Sequence, residues 1–266
     1  MRRLSGGLVL VAMVGLVVGL AARAAEARTC RPDSVAVGPA CLDKYEASVW
    51  ETTDAALIRK IKAGRATLAD LLAGGAVQHG AASDDYGAGC PDTGNGCKDF
   101  YAVSIPGVTP SVFLTWFQAA AAARNSGKRL PTNQEWQAAA LGTPDPGVSA
   151  AGSADCNTKN GGGAGVDAVS LTGSRSNCVS DVGAFDMVGN LWEWVAEWVP
   201  LSTECVTALF ASDLNCLAGA STTAGPGALI RGGFFDNGGT GAGVFAVFGD
   251  STPSRADHGI GFRAAS

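Results

Sequence analysis

Residues 183–198 read GAFDMVGNLWEWVAEW. Asp186 and Glu193 place two carboxylates on either side of the turn pair Gly189-Asn190. Carboxylate oxygens and turn carbonyls make up the donor set that hard cations take, and Ca²⁺ gathers roughly six to eight such oxygens. Trp192, Trp194 and Trp198 crowd the second half of the same stretch. A cluster of indoles reads as core before it reads as a ligand-stacking surface, because each ring has a large apolar area to hide. The stretch thus joins a polar turn suited to a cation to a bulky apolar segment.

Upstream lies GKRLPTNQEWQAAALG at 127–142. Within it Thr132 and Glu135 form a capping box preceded by Pro131, so a helix is predicted to start there and stop by Gly142. Thr115 and Gln118 form a second box ahead of an alanine tract that runs to Gly127. Further back, CLDKYEASVW at 41–50 reads as an opening strand, 55–73 as a helical stretch broken at Gly64, and 101–108 as another strand. Residues 80–99 form a polar loop closed by two cysteines. The stretch 143–181 has almost no periodic pattern, and a loop that long is usually functional or held by a staple or ion. Residues 217–227 read as a small-residue linker, and the C-terminal part alternates short apolar pieces with glycine turns, as strands of an irregular sheet do. There is no internal repeat and no domain-length linker, so one domain over 28–266 is expected.

The N-terminus is read as a removable secretory signal over 1–27: Arg2 and Arg3, an apolar run from Leu8 to Leu20, then Ala25-Glu26-Ala27. The rest of the chain offers no stretch near the ~20 apolar residues of a transmembrane helix. The expected location is secreted, periplasmic or cell envelope. All eight cysteines follow the signal: Cys30, Cys41, Cys90, Cys97, Cys156, Cys178, Cys205 and Cys216. An even number in an exported chain suggests a disulfide framework. Spacing favours neighbours (30 with 41, 90 with 97, 156 with 178, 205 with 216), although connectivity stays open at this level. A net charge of −5 argues against nucleic acid, whose phosphates call for clustered Lys and Arg.

Three segments, 127–142, 183–198 and LIRGGFF…GIGFR at 229–263, resemble in that order the formylglycine-generating enzyme, or sulfatase-modifying factor, family. CLDKYEASVW is similar to that family's opening strand. The resemblance implies an α+β fold: an irregular, loop-rich relative of the C-type lectin fold. It also implies calcium at the polar turn, with Asp186 and Glu193 binding by side chain and Gly189 and Leu191 by backbone carbonyl. A second family calcium site would begin near Asn157 and Thr158. The family's oxidases hold copper on a cysteine pair between the Arg-Gly-Gly and Gly-Phe-Arg motifs. Here 231–266 contains neither cysteine nor methionine, so that segment lacks the soft ligands Cu(I) requires. The iron-dependent relatives use a histidine cluster, which His79 and His258 cannot supply. Neither copper nor iron is expected.

The C-terminal segment also resembles the variable proteins of diversity-generating retroelements, which share this fold and vary surface residues to bind new ligands. The fixed frame is matched by Arg231-Gly232-Gly233, Ala242 to Ala246 and Ile260 to Arg263. Between these lie chemically mixed positions: Phe235, Asp236, Phe248, Asp250, Arg255, Asp257 and His258. The reading is therefore an exported binding module with a C-terminal face for an extracellular or envelope ligand, protein or glycan. Two alternatives stand beside it: an enzyme of the same family with altered chemistry, and a structural domain of an envelope assembly.

Overall fold

The computed structural model describes residues 29–150, 153–159, 168–207 and 210–266. The segment read as a signal lies outside the described residues. Strands β1 (Ser34–Val37) and β2 (Ala40–Asp43) form a hairpin, and β3 (Ser48–Glu51) follows after a break. The single strand expected over 41–50 is thus two. Between them Lys44 to Ala47 leave the ladder, and this break carries the buried Glu46.

Helices α1 (Ala55–Lys62) and α2 (Leu68–Ala73) then pack on β3, with Leu57, Ile61 and Leu71 against Trp50, Tyr101 and Val103. The break between them at Gly64 is as the sequence suggests. Gly64 has φ +65°, and a Cβ there would come within 2.3 Å of the Asp33 carboxylate, so only glycine lets the insertion close on the N-terminal segment. Strands β4 (Val77–His79) and β5 (Phe100–Val103) flank β3 in an antiparallel three-stranded sheet. β5 stops at Val103, short of the expected 108.

Both capping boxes form. Helix α3 (Trp116–Asn125) has the Thr115 hydroxyl accepting from the Gln118 amide, and Gln118 reaching back to the Thr115 amide at 2.8 Å. Its buried Ala119, Ala122 and Ala123 give it a smooth face that sits close on β5. Its two ends also hold the 90–97 loop: Gln118 donates to the Cys90 carbonyl, and Asn125 to the Phe100 carbonyl just beyond Cys97. Helix α4 (Asn133–Ala139) repeats the cap with Thr132 and Glu135 and buries Trp136 fully.

The larger sheet has the order β11-β6-β9-β10-β8-β7. It comprises β6 (Trp192–Leu201), β7 (Glu204–Val206), β8 (Asn215–Ala218), β9 (Ser221–Arg231), β10 (Val247–Ser251) and β11 (Ile260–Phe262). β11 pairs parallel with β6 and β8 parallel with β10, and the other pairs are antiparallel. The expected linker at 217–227 is instead the end of β8 and most of β9. Its small residues are strand residues on an exposed stretch, where a cross-strand ladder to β6 supplies the order that side-chain bulk does not. Trp192 and Trp194 are core, as expected. Trp198 is 43 % exposed, because the strand leaves the core beyond Val195.

Residues 264–266 return to the first hairpin. Ser266 and Cys41 exchange backbone hydrogen bonds, and Asp43 donates to the Ala264 carbonyl, so 264–266 lies along β2. All eight cysteines are bridged, as 30–41, 90–97, 156–178 and 205–216. These are the neighbour pairs that the spacing favoured. Among the described residues no helix is long and apolar enough to cross a membrane.

Candidate functional site: a buried carboxylate centre and the C-terminal cavity

The turn at 186–190 is wound tightly, with Asp186 at φ +58°, Gly189 at +74° and Asn190 at +58°. Left-handed backbone is tolerated best by Gly, Asn and Asp, which is what the sequence places there. A Cβ on Gly189 would meet the Asn157 carbonyl at 2.2 Å, so the turn is pressed against the 156–158 segment. This winding aims Asp186 inward and leads into β6, which delivers Glu193.

Glu193 is fully buried. Its Oε1 accepts from Arg263 Nη2 at 2.6 Å, and its Oε2 from Arg263 Nε and Trp136 Nε1, both at 2.7 Å. Arg263 also donates to the Phe185 and Asp43 carbonyls, so this one guanidinium ties together β2, β6 and β11. Glu46 faces the same centre, accepting from the Leu191 amide at 3.1 Å and from the Asn190 side chain. Asp186 Oδ2 accepts from the Gly173 amide at 2.8 Å, whereas Oδ1 is buried without a partner. Three buried carboxylates therefore share one guanidinium. Burial, then the Asp186 and Glu193 charges, push the Glu46 carboxyl well above its ordinary range. Burial pushes Asp186 up to about 6.

The orphaned Asp186 Oδ1 fits a hard cation, and so does the surplus of carboxylate. Glu193 fits only in part, because three of its acceptor positions are taken. Among the described residues no three His, Cys, Asp or Glu side chains converge at metal-binding distance. Carbonyls, those of Gly189 and Leu191 among them, would have to complete such a shell. At the second expected site the Asn157 side chain bridges Asn190, Ala168 and Arg175, while Thr158 Oγ1 is buried and unpartnered. Its later ligands would fall near 160–167, outside the described residues.

The second feature is a cavity of about 290 Å³ on the C-terminal face, between β6, β10 and the 252–259 turn. Of the residues expected there, Phe248, Asp250, Arg255 and Asp257 line it. Arg255 Nη2 lies 2.9 Å from Asp257 Oδ2, and Asp257 also accepts from the Gly259 amide, which holds its carboxyl below the usual range despite burial. His258, 60 % exposed, packs edge-on against Phe234 and Phe235 at the rim. Two of the residues expected on this face lie off the cavity wall. Phe235 is buried at 7 % exposure and supports the rim from beneath, because its amide is tied to the Asn190 carbonyl. Asp236 does not line the cavity and pairs with Lys159 at 2.9 Å.

Several partners escaped the sequence reading. Trp192, Phe234, Asn237 and Ser251 also line the cavity, and Glu46, Asn190 and Arg263 complete the buried centre. Glu46, one of two buried acids inside CLDKYEASVW, and the lone base closing GIGFR were the available signals: charges in otherwise buried segments call for each other or for a shared partner.

The model of the sulfatase-modifying factor enzyme 1-like domain matches residues 51–266. The chain belongs to this family. Its fold is accordingly the α+β, loop-rich, C-type-lectin-like architecture of the formylglycine-generating type. A formylglycine-generating enzyme of Thermomonospora curvata is 33 % identical over 101 residues, covering 34 % of this chain and 33 % of that protein. The match thus spans about a third of the curated relative's length. Among solved structures, the Major Tropism Determinant U1 variant superposes with a TM-score of 0.48 at 22 % identity, over 88 % of this chain and 52 % of that one. The P3c variant does so at 0.47 and 22 %, over 88 % and 54 %. In this member of the sulfatase-modifying factor family no cysteine lines the C-terminal cavity, and every thiol is in a bridge.

Proposed function

We propose that this chain is an exported binding module of the sulfatase-modifying factor family, stapled by disulfides and stabilised by calcium, whose C-terminal face takes an external ligand. The carrying observation is the cavity lining: Phe248, Asp250, Arg255 and Asp257 meet there, and the family's thiolate pair does not. A thiolate would be both copper ligand and reactive group, and neither carboxylate nor guanidinium replaces it. The family match favours a second reading, an enzyme with altered chemistry. One assay tests whether the family's oxidase chemistry survives. Given copper, oxygen and a sulfatase-type cysteine peptide, the purified protein is expected to make no formylglycine above background. Copper-dependent turnover would overturn the binding-module reading. A diversified face further predicts a neighbouring reverse-transcriptase gene and a template repeat of the 3′ end.

Export is supported by four bridges, which persist in oxidising compartments, together with the N-terminal signal pattern. Calcium is supported by the surplus of buried carboxylate and the unpartnered Asp186 Oδ1. The ion would be held by Asp186, the Gly189 and Leu191 carbonyls and the acceptor position that Arg263 leaves on Glu193. Added Ca²⁺ is expected to raise the melting temperature, because a ligand of the folded state stabilises by mass action. Asp186→Gly tests the site cleanly, since glycine accepts the positive φ and leaves the Glu193–Arg263 pair intact. That variant should lose the calcium-dependent gain. An unchanged melt of the metal-free native protein on adding Ca²⁺ would remove the ion from the proposal.

A further inference from the structure

The charges around the C-terminal cavity do not balance. Arg255 is committed to Asp257 at 2.9 Å and reaches Ser251 at 3.4 Å, so its charge is answered within the wall. Asp250 lines the same cavity, is exposed, and has no hydrogen-bond or ion-pair partner among the described residues. Beside it stand aromatic rings, with Trp192 and Phe248 at a centroid distance of 4.6 Å and Phe234 across the opening. An unpaired carboxylate and the negative faces of aromatic rings attract the same thing, an organic cation with an apolar stem.

We propose that the occupant is a basic side chain, lysine or arginine, presented by a partner protein; this rests on the binding-module reading above. The geometry selects against the competing ligand classes. A sugar ring needs a broad, open aromatic face, but Trp192 is only 6 % exposed and Phe234 and Phe248 are half-buried. An anion would meet two carboxylates with the one cavity-lining arginine already paired. A cation is smaller and needs only part of a ring face within about 6 Å, which the half-buried Phe234 and Phe248 can offer, and one carboxylate. The size agrees, since about 290 Å³ lies at or just below the lower end of small-ligand sites and accommodates a single long side chain.

The test uses the whole secreted protein and four probes: the Nα-acetyl N-methylamides of lysine, arginine and norleucine, and methyl glucoside. Binding is read by NMR titration. The two cations are expected to bind at least about tenfold more tightly than norleucine, whose side chain has similar length but no charge. Asp250→Asn should weaken the cations about tenfold with an unchanged melt, Asp250→Glu should retain them, and neither should affect norleucine. Phe248→Leu, which keeps the apolar volume and removes the ring, should weaken them as well. Equal binding of norleucine, tighter binding of the glucoside, cation binding indifferent to Asp250→Asn, or no binding of either cation would each overturn the inference. A glucoside bound at this cavity would do so while leaving the binding module standing, whereas copper-dependent formylglycine formation would remove both.

Discussion

Arg263 is one side chain on which three carboxylates depend. Glu46, Asp186 and Glu193 all act on it, and its side chain is wholly buried. Removing the guanidinium leaves three buried acids with only the more distant Arg175, near Asp186, as counter-charge, whereas removing one acid brings the cluster closer to balance. The two substitutions therefore differ in size although they cut the same salt bridge. Arg263→Met is expected to cost about 3–5 kcal/mol, the usual result of stranding a buried charge. Glu193→Gln should cost distinctly less, because the amide oxygen can still accept and the net buried charge falls. Urea melts of the two variants decide this, and equal losses would mean that charge balance does not govern the site. At this scale the sequence was informative about residue types but silent about partnership. Asp186 and Glu193 were legible as two carboxylates flanking a turn, yet the 70-residue separation between Glu193 and Arg263 leaves no local signal that one answers the other. The burial of Phe235 is hidden for a similar reason: its amide donates to the carbonyl of Asn190, which lies on another segment.

At the scale of elements, local chemistry was decisive wherever a side chain acts on its own backbone. Both capping boxes form, and so does the break at Gly64, because each needs only residues three or four apart. The Thr132 cap shows how the cost can be isolated. Its hydroxyl accepts from the Glu135 amide at 3.1 Å, while Glu135 is held independently by a two-pronged contact with Arg129, both at 2.7 Å. Thr132→Ala thus removes one cap bond without freeing Glu135. The expected loss is about 1 kcal/mol, read as a lower denaturation midpoint at unchanged slope. A loss under a few tenths would show that Glu135 alone satisfies the helix start. Strands were less legible. β8 and β9 read as a linker because their residues are small and exposed, and their order comes from pairing with β6 and β10, which are distant in sequence. The break after β2 was hidden because Lys44 to Ala47 sit inside an otherwise strand-like run.

At the scale of the whole molecule, two buried groups are expected to weaken the fold at alkaline pH. Lys128 holds the N-terminal segment to the core, reaching Asp33 at 2.6 Å and Asp43 at 2.5 Å with no exposed side-chain surface. The two carboxylates outweigh burial and raise the lysine above its ordinary 10.5. Tyr86 is buried with its hydroxyl donating to the Val112 carbonyl, and burial pushes the phenol well above 10.0. In both cases the folded form holds its proton more tightly than the unfolded form. Each contribution is therefore fully present below the unfolded value and is lost as pH rises above it. Stability is expected to hold up to about pH 10 and then to fall, by as much as ~1.4 kcal/mol per pH unit for each such group. Thiol exchange does not obscure this limb, since no cysteine is free to start it. Tyr86→Phe should cost about 1 kcal/mol at pH 8 through the lost hydrogen bond, yet flatten the decline between pH 10 and 11. Melting temperatures at half-unit steps from pH 8 to 11.5 measure both effects. A decline equally steep in the phenylalanine variant would assign the alkaline limit to Lys128 and its two aspartates, and Lys128→Met would then be the variant that removes it.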